Sequence, residues 1–331
     1  MSRIAVIGAG AWGTALSIVL ARGGRHQVRL WAYEPEVCES IRKTRVNAQF
    51  LAGFALPQDI EVTNSLSHAI RDVQIVLAVM PSHHARRLYS EMSPMLSADT
   101  IIVSATKGIE AETHKRMTEV AAEVTGSPNV AALSGPSFAK EVARGDPAAL
   151  TIAAADAQVA ACIRNEFSDP MFRVYTNDDL VGVELGGAIK NVIAIAAGAV
   201  EGLGLGHNTA AALITRGLAE ITRLAVACGG RRETLAGLAG MGDLVLTCTG
   251  GLSRNRTVGV ELGRGRKLHE IMEGMHGMVA EGVLTNDAAL GLAARHGIEM
   301  PICEQVYAVL HEEKTPKDAI RDLMGRPGRE E

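Results

Sequence analysis

The chain holds 331 residues, with 33 basic against 37 acidic side chains for a formal charge of −4; 47% are hydrophobic and 3% aromatic. At roughly 150 residues per domain, this length predicts about two domains with substantial cores. A mildly acidic, aromatic-poor chain has neither the basic stripe nor the stacking platform of a nucleic-acid binder, and no electrostatic pull toward an anionic membrane. Five cysteines, an odd number without a CxxC pair, read as reduced thiols of a cytoplasmic protein rather than a disulfide frame or zinc site.

In chain order, apolar runs at 4–7, 28–31, 60–63, 73–79, 101–104 and 130–133 alternate with helical patterns, the first of them at 12–22. Strands separated by helices predict right-handed crossovers and a mostly parallel, doubly wound sheet: a Rossmann-like α/β domain over residues 1–178. Runs at 149–154 and 172–175 extend that sheet. Beyond Asp178 the strand-like runs stop. Helical patterns at 180–200, 209–228, 254–262, 268–275, 287–296 and 302–311 predict an all-α domain over 179–324, and the polar tail 325–331 is expected to fray. The uncharged stretch 4–21 after Arg3 has the length of a signal or spanning segment. Gly8, Gly10 and Gly13 would weaken a spanning helix but suit a strand-turn-helix, so no membrane insertion is expected.

Gly8-Ala9-Gly10-Ala11-Trp12-Gly13 is a GxGxxG pattern between a predicted strand and a predicted helix, the setting in which it marks a dinucleotide site. Gly8 permits the turn, Gly10 lets backbone approach a pyrophosphate, and Gly13 lets the helix pack on the strand. The helix start then offers its N–H groups to the phosphates. Glu34 comes just after the second strand, where an acidic side chain holds the ribose of NAD. Pro35 makes it equally the residue before a helix. Arg42 and Arg45 either reach a 2′-phosphate or form a solvated face, so the sequence admits NAD or NADP.

Hydride exchange with an alcohol or ketone needs a group that takes or gives the oxygen-bound proton. Lys107 lies just past the strand at 101–104, on the edge where doubly wound sheets bind ligands. Lys190 is the only charge between Glu184 and Glu201, on an apolar helix beside Gly186, Gly187 and Asn191. Burial or a second ammonium would lower a lysine pKa from about 10.4; an ammonium snorkelling from a core helix fits the same pattern. Asp243, in Gly240-Met241-Gly242-Asp243, is a carboxylate on a tight turn that it could itself close. Ser253-Arg254-Asn255-Arg256 precedes a helix, as a phosphate clamp or an exposed basic turn, with Ser253 the N-cap. Ser134-Gly135-Pro136-Ser137 is an amide-rich loop in which Ser137 could be an ordinary N-cap. Adjacent His83 and His84 are expected to point apart, and His207, His269 and His276 have no ligand partner at i+4, so no metal is implied.

Segments 8–16, 107–110, 133–139, 184–198, 238–250, 253–256 and 279–283 together resemble, in order, the motifs of the bacterial NAD(P)-dependent sn-glycerol-3-phosphate dehydrogenases. Lys190-Asn191-Val192-Ile193-Ala194 and Gly242-Asp243-Leu244 are the most distinctive. The resemblance implies a cytoplasmic oxidoreductase that reduces dihydroxyacetone phosphate to sn-glycerol 3-phosphate for phospholipid synthesis. It also implies a C-terminal domain like that of 6-phosphogluconate dehydrogenase; a homodimer is compatible with it. Lys190 matches the family's proton acceptor. Lys107, Gly135, Ser137, Asp243, Ser253, Arg254 and Asn255 match substrate positions. Trp12, Lys107, Ala139, Arg254, Val279 and Glu281 match cofactor positions, beside Gly8, Gly10 and Gly13 of the loop already read as a dinucleotide site.

Two departures stand out. Ala11 replaces a serine frequent in relatives, and Trp31-Ala32-Tyr33-Glu34 lacks the arginine or histidine that usually meets a 2′-phosphate, although Tyr33 can still lie beside the adenosine. Two other functions compete. A two-domain dehydrogenase of a β-hydroxy acid or ketopantoate would bind a carboxylate where the phosphate clamp stands. A dinucleotide-sensing protein would bind cofactor without turnover. The favoured reading requires an amine of the helical half and amides of the sheet half to gather around one anionic triose.

Overall fold

A computed structural model describes residues 1–275 and 280–328; Val279, His276 and the last three residues of the expected tail lie outside the described residues. The chain forms two compact units: Met1–Lys107 with Lys115–Glu184, and Gly108–His114 with the residues from Leu185 onward.

The first unit is built on one eight-stranded sheet, with β1 (Ser2–Ile7), β2 (His26–Trp31), β3 (Glu61–Thr63), β4 (Ile75–Ala78), β5 (Ile101–Ser104), β6 (Val130–Ser134), β7 (Ala148–Ala154) and β8 (Phe172–Asn177) in the order β3-β2-β1-β4-β5-β6-β7-β8. Helices α1 (Ala11–Ala21), α2 (Pro35–Thr44), α3 (Leu66–Ala69), α4 (Ser82–Met92), α5 (Met117–Thr125), α6 (Ala139–Arg144) and α7 (Ala157–Phe167) connect them. Pairing is parallel throughout except between β6 and β7. The exception has a simple cause. The six residues of α6 rise only about 9 Å, too little to carry the chain back along the sheet for a parallel crossover.

The period of two along each strand sorts its side chains onto opposite faces. Ile4, Val6, Val28, Leu30, Ile75 and Leu77 enter one core, under α1. Ala5, Ile7, Trp31, Val76, Ala78 and Ile102 enter the other, with α4 and α5. Strands buried on both faces read as continuous apolar runs, which is why the sheet is visible in the sequence.

The second unit is helical: α8 (Leu180–Gly202, its first turn counted with the sheet unit), α9 (His207–Ala227), α10 (Arg232–Leu235), α11 (Asp243–Thr249), α12 (Arg254–Gly263), α13 (Leu268–Glu273), α14 (Glu281–Arg295), α15 (Pro301–His311) and α16 (Pro316–Met324). Among the described residues, α8 is the one single helix long and apolar enough to cross a membrane, yet 78% of its apolar window is buried in the protein. Its neighbour α12 approaches backbone to backbone. A Cβ on Gly259 would stand 1.9 Å from the Ile195 carbonyl oxygen, and one on Gly198 2.0 Å from that of Arg256. Four elements differ from expectation, the first being the short helix α10, which has no counterpart among the expected helices. Asp243 opens α11 instead of closing a turn, because a π-turn over Leu238–Gly242 leads into the helix. α14 begins at Glu281, six residues early, and α16, a charged helix with Ala319 as its one fully buried residue, has no counterpart among the expected helices.

Candidate active site

The glycine-rich loop leaves β1 at its carboxyl end. Gly8 has φ +119°, a backbone that L side chains rarely adopt, and its N–H reaches the Trp31 carbonyl at 3.1 Å. A Cβ on Gly13 would fall 1.9 Å from the Gly8 oxygen, so the return of α1 over the loop requires glycine there. Gly10, at the N-cap of α1, is the opposite case: no atom lies within 4 Å of where its side chain would stand, and no side chain caps the helix. Buried Asn47 holds the loop from behind, donating to the Ala9 carbonyl at 2.7 Å and to the Thr14 hydroxyl at 2.8 Å. The Trp12 Nε1–H, shielded from solvent, has no acceptor among the described residues. An open backbone edge, uncapped helix N–H groups and an indole donor with no acceptor among the described residues suit a pyrophosphate-linked dinucleotide. No sequence pattern points to Asn47.

The same unit places Lys107 beside the loop after β6. Its Nζ donates to the Gly135 carbonyl at 3.0 Å and to Ser137 Oγ at 3.3 Å, while Ser137 Oγ donates to Gly135 at 2.8 Å. Ser137 is therefore not an N-cap; Phe138 occupies that position, and Ala139 begins α6. Glu34 takes the N-cap position of α2 without making a cap hydrogen bond, with Pro35 at the first turn. Arg42 donates to the Val62 carbonyl at 2.8 Å, and Arg45 to the carbonyls of Pro57 and Ile60. Arg42 thus ties α2 to β3, and Arg45 ties the end of α2 to the segment leading into that strand.

In the helical unit, α8 carries Lys190 with 5% of its surface exposed. Its ammonium donates to the Asp243 carboxylate and, at 2.8 Å, to the Thr247 hydroxyl, which in turn donates to the Asp243 carbonyl at 2.6 Å. Asp243 is fully buried. An isolated charge there would be costly, and removing either partner would leave one. Cys248, next to this group, has its thiol pushed up to about 12 by burial, against the pull of Lys190 and Arg256, so it is no nucleophile at neutral pH. Thr247 and Cys248 escape a sequence reading. A helix assigned over Asp243–Thr249 would have put Thr247 one turn from Asp243, on the same face.

Ser253 does cap α12, accepting the Arg256 N–H at 3.2 Å. Arg254 comes next at the first helical position, half-buried, with no hydrogen bond or ion pair to another described residue. Burial lowers its pKa, and Glu281 at the start of α14 opposes that shift. Asn255 accepts the Gly282 N–H at 2.9 Å, and a Cβ on Gly282 would meet the Asn191 carbonyl at 2.6 Å. The α8, α12 and α14 segments singled out in the sequence thus meet in one place. The rings of His83 and His84 do not diverge; their centroids lie 3.9 Å apart. Among the described residues no three His, Cys, Asp or Glu side chains form a metal-holding group.

A glycine-rich phosphate loop on a doubly wound sheet, joined to a helical unit with a buried lysine–carboxylate pair, defines the class: a nicotinamide-dinucleotide-dependent oxidoreductase. Comparison with known proteins narrows it. Residues 3–160 match the NAD-dependent glycerol-3-phosphate dehydrogenase N-terminus, and residues 179–321 match the C-terminus of the same family. A relative from Koribacter versatilis named glycerol-3-phosphate dehydrogenase (NAD(P)+) is 66% identical over 330 residues, covering 99% of this chain and 98% of its own. One of the same name from Acidobacterium capsulatum is 55% identical across all of both chains. A crystal structure of glycerol-3-phosphate dehydrogenase from Coxiella burnetii superposes with a TM-score of 0.94 at 42% identity, covering 98% of this chain and 99% of that one. The chain belongs to the NAD-dependent glycerol-3-phosphate dehydrogenase family.

Proposed function

We propose that the protein reduces dihydroxyacetone phosphate to sn-glycerol 3-phosphate, and that Lys190 gives the carbonyl oxygen its proton and takes it back in the reverse direction. The observation that carries this reading is the buried Lys190 ammonium held by Asp243 and Thr247. A bound nicotinamide supplies or accepts the hydride. Lys190 contributes the proton at the oxygen where negative charge develops. Asp243 and Thr247 fix the direction of the ammonium, and the carboxylate draws a proton back onto the amine once it has been given up. Arg254, a half-buried guanidinium with no counter-ion in contact among the described residues, suits the phosphate of the triose, with the capped start of α12 beside it. Lys107, tethered to Gly135 and Ser137, adds positive potential.

The test is an initial-rate assay with dihydroxyacetone phosphate and each nicotinamide cofactor, on wild type and Lys190→Ala. The variant should lose about 10²-fold or more in turnover with cofactor affinity nearly intact. Near-normal turnover removes Lys190 from the role. A wild type that ignores the phosphorylated ketone but reduces ketopantoate or a β-keto acid favours the competing dehydrogenase. A dinucleotide sensor would show binding alone, and it has no use for a buried ammonium–carboxylate pair. We further assign the product to phospholipid precursor supply in the cytoplasm, by a homodimer. Growth of a depleted strain restored by external glycerol 3-phosphate, and sedimentation of the purified protein, test these two points.

A further inference from the structure

The strands flanking β1 are β2 and β4, paired through Ile7↔Trp31 and Ile7↔Ala78. The segments leaving β2 and β4 stand on the same carboxyl edge as the phosphate loop. After β2 comes Tyr33, 62% exposed, its ring held edge-on by Trp31 at 5.9 Å between centroids. After β4 comes α4, whose Arg87 puts its guanidinium carbon 5.6 Å from the Tyr33 ring centroid. The residues just after β2 are where a Rossmann sheet meets the adenosine ribose. The two arginines that sequence offered for a 2′-phosphate, Arg42 and Arg45, are spent on backbone carbonyls.

We propose that Arg87, held over the Tyr33 face, is the residue through which this protein accepts the 2′-phosphate of NADP. The inference deepens the dinucleotide reading above and rests on it. Arg87 donates through one nitrogen to Glu91 at 2.6 Å, one helical turn on, in a half-exposed pair. A guanidinium carries five donors in a planar fork, so one surface pair does not exhaust it. An exposed pair of this kind is a weak competitor for a phosphate dianion. Glu34, at the N-cap of α2 with no cap hydrogen bond, supplies the opposite preference: its carboxylate accepts from a free 2′-hydroxyl and repels a 2′-phosphate. Cofactor choice is then a balance between one cation delivered from the β4 side and one anion from the β2 side. Such an arrangement suits a protein that uses both dinucleotides, and it places the cation away from the usual position directly after β2.

Calorimetric binding to the full chain tests this without turnover, using NADPH, NADH, 2′,5′-ADP and 5′-AMP. Arg87→Ala removes an exposed side chain and should leave the thermal transition in place. It should weaken NADPH and 2′,5′-ADP by about tenfold or more, and NADH and 5′-AMP by less than about threefold. Equal weakening of all four makes Arg87 an adenine contact and overturns the assignment, as does no change in any. A wild type that binds NADH but not NADPH overturns the inference while leaving the dinucleotide reading intact. Failure of the wild type to bind either cofactor overturns both.

Discussion

The glycine at the head of α1 and those along α8 and α12 are used in opposite ways. In the sheet unit, Gly10 faces open space, and the chemistry on offer is backbone N–H groups on a loop and a helix start. In the helical unit, Gly198, Gly259 and Gly263 face backbone carbonyls at 1.9 to 2.5 Å, so that α8 and α12 touch. Its candidate site residues are side chains that are nearly sealed: Lys190, Asp243, Asn191, Asn255 and Thr247 are each 8% exposed or less. A dinucleotide is long and repetitive, and backbone suffices to hold its phosphates. A proton must be delivered to one atom, and only a side chain fixed by packing does that.

The contrast can be broken most sharply at the glycines. Gly259→Val should cost about 3 kcal/mol or more, because the added atoms overlap the α8 backbone, which cannot yield as a flexible side chain would. Thermal unfolding measures it, and a melting point near wild type would mean that the α8–α12 approach is not tight. The helical unit's second signature is hidden charge. Glu220, 2% exposed on α9, accepts the N–H of Ile302 at 2.8 Å at the start of α15. Burial pushes its carboxyl up to about 7, against the pull of those helix-start N–H groups. A carboxyl raised in the folded state binds its proton more tightly there than in the unfolded chain. Stability from this group is therefore full below the unfolded value and declines as pH rises toward 7, by at most about 4 kcal/mol. Glu220→Gln should flatten that decline in urea unfolding measured across this range; parallel slopes for variant and wild type would contradict it. Gly10→Val should act on the ligand alone, keeping the melting point and weakening nucleotide binding by about tenfold. Unchanged affinity would separate the open edge of the loop from the cofactor.

Sequence legibility divides along the same line. The β1–loop–α1 segment is readable because strand burial makes a continuous apolar run, and because glycines at those three spacings meet one steric need, a backbone that turns, approaches a phosphate and packs closely on itself. Lys190 stands out as a charge in an apolar helix and Asp243 as a candidate through the resemblance, but the helix that joins Asp243 to Thr247 does not. Asp243 looks like a turn residue since Gly240 and Gly242 precede it, and the π-turn that actually leads into α11 has no pattern of its own. With that helix unseen, Thr247 is an ordinary threonine. Arg42 and Arg45 cannot be sorted, because an arginine that satisfies distant carbonyls and one that awaits a ligand look alike on a helical wheel. Asn47 acts across 38 residues on the phosphate loop, a distance no local pattern spans.

The smallest expected effect is also the one that separates scaffold from ligand site within the sheet unit. Arg42→Ala removes one hydrogen bond from the guanidinium to the Val62 carbonyl, on the strand at the edge of the sheet. A single hydrogen bond of a charged donor at a partly exposed site contributes about 1 kcal/mol, so the melting point should fall by a few degrees at most. The ratio of NADPH to NADH affinity should stay where it is, because this guanidinium is engaged by the carbonyl of β3. A changed ratio would bring α2 into cofactor selection and weaken the division between a sheet unit that binds through backbone and the one exposed arginine, on α4, that distinguishes the two dinucleotides.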